Sequence, residues 1–148
     1  MKLSSTVALV TILVVCSTAR SARAGAEDHC DKKQDEWFHQ ADPKSWKSLY
    51  RLFEQFGPCD DGGIGEGFSE DVAQLFIKQW THLEALNRLL ASDKAFEKFV
   101  LRHIDATLSE EELKTIADNS KEHCPANEAQ LCHSIGMRAA RSLNELRK

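Results

Sequence analysis

The residues of this chain that could do chemistry are concentrated between Cys59 and Asp71, CDDGGIGEGFSED. Asp60, Asp61, Glu66, Glu70 and Asp71 supply carboxylate oxygens, which suit a divalent cation or a general acid/base pair. Gly62, Gly63, Gly65 and Gly67 lie among them, from a total of 7 glycines. Glycine is costly to order and contributes no packing, so this density needs a physical reason.

Spacing tests each chemistry. If Gly62 were the turn glycine of an EF-hand, Gly57 and Cys59 would stand where oxygen ligands are required. A phosphate cradle fails as well, since no lysine follows the glycines and Asp60, Asp61 and Glu66 would repel the anion. Glu66 with Asp60 or Asp61 could form the acid/base pair of a small hydrolase, and that reading stays open beside calcium binding. His103 could act as a base oriented by Asp105, although a histidine on an apolar stripe is usually structural. Ser69 lies in no G-x-S-x-G elbow, so no catalytic residue is assigned. The remaining reading is a tight connection in which the glycines supply positive φ, Cys59 pins one end and Ser69 caps the next helix. Its acids would then be solvated or cap amides; a loop whose acids contact a protein partner is the separate alternative.

The elements around this loop follow from the rest of the chain. Met1 and Lys2 precede an apolar run from Val7 to Val15 broken only by Thr11, and Ala22-Arg23-Ala24 has the small-x-small form of a signal peptidase site. The run is too short for a membrane span of roughly 20 residues. Residues 1–24 therefore read as a signal peptide, and the expected location is periplasmic or secreted. Its removal takes away Lys2, Arg20 and Arg23 and no acid. Of the 19 basic residues 16 then remain against 23 acidic ones, a formal charge of −7. An acidic surface without a basic stripe disfavours nucleic acid and anionic membranes.

Cys30, Cys59, Cys124 and Cys132 would remain in the exported chain, an even number in an oxidising compartment, and read as disulfide-bonded. Four cysteines allow three pairings. Cys124 and Cys132 flank a corner and could meet across it, which would pair Cys30 with Cys59. Neither a C-x-x-C nor a trustworthy zinc spacing occurs, and no metal or cofactor is expected.

Residues 25–41 are polar and form either a short helix held by Cys30 or a loose arm. The helical domain spans 42–148. Asp42 is read as the first cap with Pro43 in the first turn, before Trp46, Leu49, Leu52, Phe53 and Phe56. Val72 to Leu90 continues helically with a break at Thr81-His82, and Ser92-Asp93 offers the next cap. Phe96, Phe99, Val100, His103 and Ile104 share one helix face. A corner at 105–108 precedes a capping box from Ser109 to Glu112, and a last helix carries Leu131, Ile135, Ala139 and Leu143. No run alternates with period two. The fold class is all-α: one small domain of stacked antiparallel helices, stapled by disulfides.

Cys59-Asp60-Asp61-Gly62, Glu66-Gly67-Phe68-Ser69 with Val72, the segment FEKFVLRHIDAT from Phe96 to Thr107, and Cys124-Pro125 together resemble a group of small exported proteins of Gram-negative bacteria. That resemblance implies a periplasmic helical protein and carries no mechanism. Some exported helical proteins of this kind serve as immunity proteins. The expected function is protein binding, with an immunity-like role suggested by general similarity alone.

Overall fold

The computed structural model describes the backbone of residues 18–148 and the side chains from His29 onward. The first 17 residues of the expected signal peptide lie outside the described residues. Seven helices and no strand occur among those that are described: α1 (Thr18–Gln40), α2 (Trp46–Phe56), α3 (Gly62–Lys78), α4 (Leu83–Ser92), α5 (Lys94–Arg102), α6 (Glu110–Glu122) and α7 (Ala129–Leu146). None of the helices is long and apolar enough to cross a membrane.

The stretch 25–41 is helical through Gln40, and its Trp37 is only 2 % exposed. Trp37 meets Phe56 and Phe68 edge-on, with ring centroids 5.4 and 4.2 Å apart. Polar patterning concealed this contact, because a helix that touches the core through one bulky residue has almost no apolar stripe. Cys30, two turns before Trp37 on the same helix, bonds to Cys59 and ties α1 down there as well.

Helix α2 starts later than Asp42-Pro43 suggests. Ser45 is its cap, and Ser45 and Ser48 exchange hydrogen bonds between hydroxyl and backbone amide in both directions. Asp42 is instead engaged by Lys44. Trp46, Leu49, Leu52 and Phe56 then face inward at helical spacing.

The glycine-rich stretch is the beginning of α3. Only Gly62 has positive φ, at 51°, so the other glycines are not turn residues. A Cβ at Gly63 would lie 3.2 Å from Gln34 Nε2, and one at Gly67 would lie 2.7 Å from Trp37 Nε1. Two glycines one helical turn apart thus let α1 settle directly on the backbone of α3. Here tertiary packing overrides the low helix propensity of glycine. Ser69 consequently sits in mid-helix, and Asp61 rather than Ser69 caps α3.

Beyond α3 the expected break occurs as a 3-10 turn, Trp80–His82. Trp80 Nε1 donates to the carbonyl of His123 at 2.9 Å and anchors the end of α6. Asp93 caps α5 by accepting from the amides of Ala95 and Phe96. Ser109 and Glu112 form the capping box that starts α6. α6 and α7 pair as an antiparallel hairpin, closed at its corner by the Cys124–Cys132 disulfide. In the chain-entropy picture the 29-residue separation of Cys30 and Cys59 contributes about 3–4 kcal/mol, against about 2–3 for the 8-residue separation of the other pair.

Candidate functional site

A short 3-10 turn, Gly57–Cys59, delivers Asp60 and Asp61 to the start of α3. The Cys30–Cys59 bond fixes that turn against α1. From there the loop's carboxylates separate. Asp60 turns inward, and its side chain is only 5 % exposed. Its Oδ2 meets His103 Nε2 at 3.0 Å and also contacts the guanidinium of Arg102. Asp61 stays at the surface and accepts from the amide of Gly62 at 2.8 Å.

The other three acids lie farther along α3. Glu66 is exposed. Glu70 is exposed too and accepts from the Gln74 amide at 2.9 Å. Asp71 is half-buried, and its Oδ2 is enclosed without a hydrogen-bond partner. Burial first, then the charges of Asp42 and Glu70, push the Asp71 carboxyl up to about 7. The five expected site residues therefore divide: Asp60 and Asp61 share one place, and Glu66, Glu70 and Asp71 are elsewhere. Among the described residues no three His, Cys, Asp or Glu side chains are arranged to hold a metal ion.

His103 connects the loop to the interior. It ends α5 between the rings of Phe68 and Phe99, 5.7 and 4.5 Å away. Its Nδ1 lies 2.9 Å from Ser69 Oγ. Ser69 Oγ also approaches the Gly65 carbonyl and Asp105 Oδ2, each at 3.2 Å. Asp105 is held in turn by the amide and hydroxyl of Thr107. Burial, assisted by the charge of Arg102 and opposed by that of Asp105, lowers His103 to about 4. The neutral ring then carries its proton on Nε2, facing the acceptor-only carboxylate of Asp60, and its Nδ1 accepts from Ser69.

Serine, histidine and aspartate in hydrogen-bonded series could suggest acyl transfer. The geometry argues otherwise. In a serine hydrolase Nε2 faces the serine and Nδ1 the carboxylate, whereas this ring is reversed. Ser69 is 2 % exposed and does not line the nearby cleft, so a substrate carbonyl cannot reach its oxygen. The series is an internal clasp joining the loop, α3, α5 and the corner after α5. His103 is oriented by Asp60 and Ser69, and Asp105 reaches it only through Ser69.

Above the clasp lies a cleft of about 440 Å³, floored by the Cys30–Cys59 bond and lined by Asp31, Gln34, Asp60, Asp61 and Arg102. Asp60 is neutralised by Arg102. Asp31 and Asp61 have no cationic partner among the described residues. Nothing local in the sequence marks Asp31, Gln34 and Arg102: the first two join the site through the Cys30–Cys59 bond and the docking of α1, and Arg102, at the end of α5, through its contact with Asp60.

No known family matches this chain, and neither a curated protein nor a solved structure matches it. Its chemistry has to be read from geometry.

The two shifted groups make a prediction. Asp71 binds its proton more tightly folded than unfolded, so its contribution to stability falls as pH rises from about 4 to about 7. His103 has the opposite sign: its folded form resists protonation, and stability is lost as pH falls from 6.5 toward about 4. The two slopes oppose each other across the range they share. Asp71→Asn removes one of them. Urea melts should show the variant about 1–2 kcal/mol more stable than wild type at pH 8, after allowing for solvent screening, and nearly equal at about pH 4. A difference independent of pH would show that Asp71 ionises normally.

Proposed function

We propose that this chain is an exported helical binding module whose cleft receives a cationic side chain of a protein partner. The observation that carries this reading is the pair Asp31 and Asp61, two carboxylates on one concave surface with no cationic partner among the described residues. The cleft is preorganised, since a disulfide forms its floor and the Asp60 clasp fixes its wall, so little ordering entropy is lost on binding. A lysine or arginine entering it would meet Asp31 and Asp61 while Arg102 stays satisfied by Asp60. The acidic charge expected after removal of residues 1–24 would speed encounter with a basic partner. Periplasmic or secreted location is part of the proposal, and two disulfides are compatible with it. An immunity-like role against a basic toxin is one form this binding would take. The hydrolase and calcium alternatives are less well supported, because Ser69 is enclosed and the loop carboxylates diverge.

The test is capture from a periplasmic extract followed by mass spectrometry. Asp31→Asn/Asp61→Asn should lose the proteins retained by wild type, while Glu66→Gln/Glu70→Gln should keep them. Asparagine still caps a helix, so the first variant preserves α3. Identical captures by all three proteins would overturn the reading.

A further inference from the structure

A second depression, on the face between α2 and α4, has the opposite electrostatic character. It measures about 470 Å³ and is lined by Lys47, Tyr50, Arg51, Glu54, Ala85, Arg88 and Leu89. That volume is in the usual range of small-molecule sites. Its floor is apolar, made by the Tyr50 ring, Ala85 and Leu89, and the Tyr50 hydroxyl is tied back to Asp93 at 3.1 Å. Its rim is cationic. Arg88 is engaged by Glu84, but Lys47 and Arg51 pair with no carboxylate among the described residues.

Lys47 and Arg51 stand one helical turn apart on α2, a spacing at which like charges repel. On a chain of net charge −4, two adjacent unpaired cations over an apolar floor are a local reversal of the general pattern. An anionic group between them would remove the repulsion. Glu54 at the same rim disfavours a polyanion, so one negative charge fits better than a phosphate chain or nucleic acid.

We infer that the α2/α4 depression binds a small amphiphilic monoanion, its charged head between Lys47 and Arg51 and its apolar chain on Tyr50, Ala85 and Leu89. A carboxylate and a phosphodiester head share this chemistry, each carrying one negative charge. The site is separate from the acidic cleft and independent of its proposed use.

The test titrates the full chain with decanoate below its micelle concentration, following methyl resonances and calorimetric heat. Saturable binding should shift the methyl signals of Ala85 and Leu89, and Lys47→Glu/Arg51→Glu should weaken it at least tenfold. Decyl methyl phosphate, a diester of single charge, distinguishes the two heads: tighter binding than decanoate assigns a phosphodiester, and equal or weaker binding assigns a carboxylate. Decyltrimethylammonium, with the same chain and the opposite charge, should leave those methyls unmoved. The inference is overturned if the ammonium amphiphile binds comparably, if charge reversal leaves decanoate affinity unchanged, or if inorganic phosphate binds as well as decanoate. An acidic peptide that shifts these methyls while decanoate does not would also overturn it. Should the charge-reversed variant fail to fold, Ala85→Trp fills the floor instead, and unchanged decanoate affinity then counts against the inference.

Discussion

Trp37→Ala should destabilise the protein by about 3–5 kcal/mol, the usual cost of removing a large buried aromatic. At this size that corresponds to a fall of roughly 10–20 °C in Tm, readable by far-ultraviolet circular dichroism. Trp37 belongs to a stretch whose composition is that of a solvated arm, so the prediction separates two descriptions of α1. A tethered arm would lose less than about 0.5 kcal/mol, as exposed substitutions do. A docked helix loses the edge-on contacts with Phe56 and Phe68 and leaves a void above Gly67. The Cys30–Cys59 bond remains in this variant, so the measurement isolates packing from cross-linking. A melt superimposable on wild type would mean that α1 is held by its disulfide alone.

Asp60→Ala should cost about 2–4 kcal/mol, because it leaves the buried Nε2–H of His103 without an acceptor and Arg102 without its partner. Asp60→Asn should cost less, since an amide oxygen can still accept from Nε2. The useful control is Asp61→Ala. It removes an exposed neighbouring carboxylate and should cost about 1 kcal/mol through the lost cap. Urea denaturation of the three variants should therefore rank Asp60→Ala well below Asp61→Ala. Equal losses would show that Asp60 acts as a surface charge and that the clasp contributes nothing.

Most of the framework was legible wherever the signal is local. The Ser109–Glu112 box, the Asp93 cap and the break near Thr81-His82 depend on residues a few positions apart, and each occurs where the sequence places it. Both disulfides join the cysteines that the corner at Cys124 and Cys132 suggests. The differences around the loop share one cause. Gly63, Gly65 and Gly67 were read for backbone freedom, whereas Gly63 and Gly67 make room for α1 and Gly65 makes room for Asp60. The spacing of Gly63 and Gly67, one turn apart on one face, was the available clue. A turn over those glycines makes Ser69 a cap, whereas the structure places it inside α3 as part of the clasp.

The candidate site was legible only in part for the same reason. Asp60 and Asp61 are in the cleft, but Asp60 is consumed by His103 and Arg102, distant in sequence and unannounced by any motif. Asp31 and Gln34 reach the cleft only because α1 docks. Glu66 and Glu70 lie one turn apart on the exposed face of α3, while Asp71, the next position after Glu70, is turned toward the interior, so none of the three joins Asp60 and Asp61 at the cleft.

The fit of Trp37 against Gly67 also sets a rule for how this chain can diverge. With 2.7 Å between the indole nitrogen and the place of a Cβ, any side chain at 67 requires the indole to move. Descendants of this sequence should therefore change the two positions together, a smaller residue at 37 accompanying alanine or serine at 67. A tryptophan at 37 beside a branched residue at 67 should be missing from them.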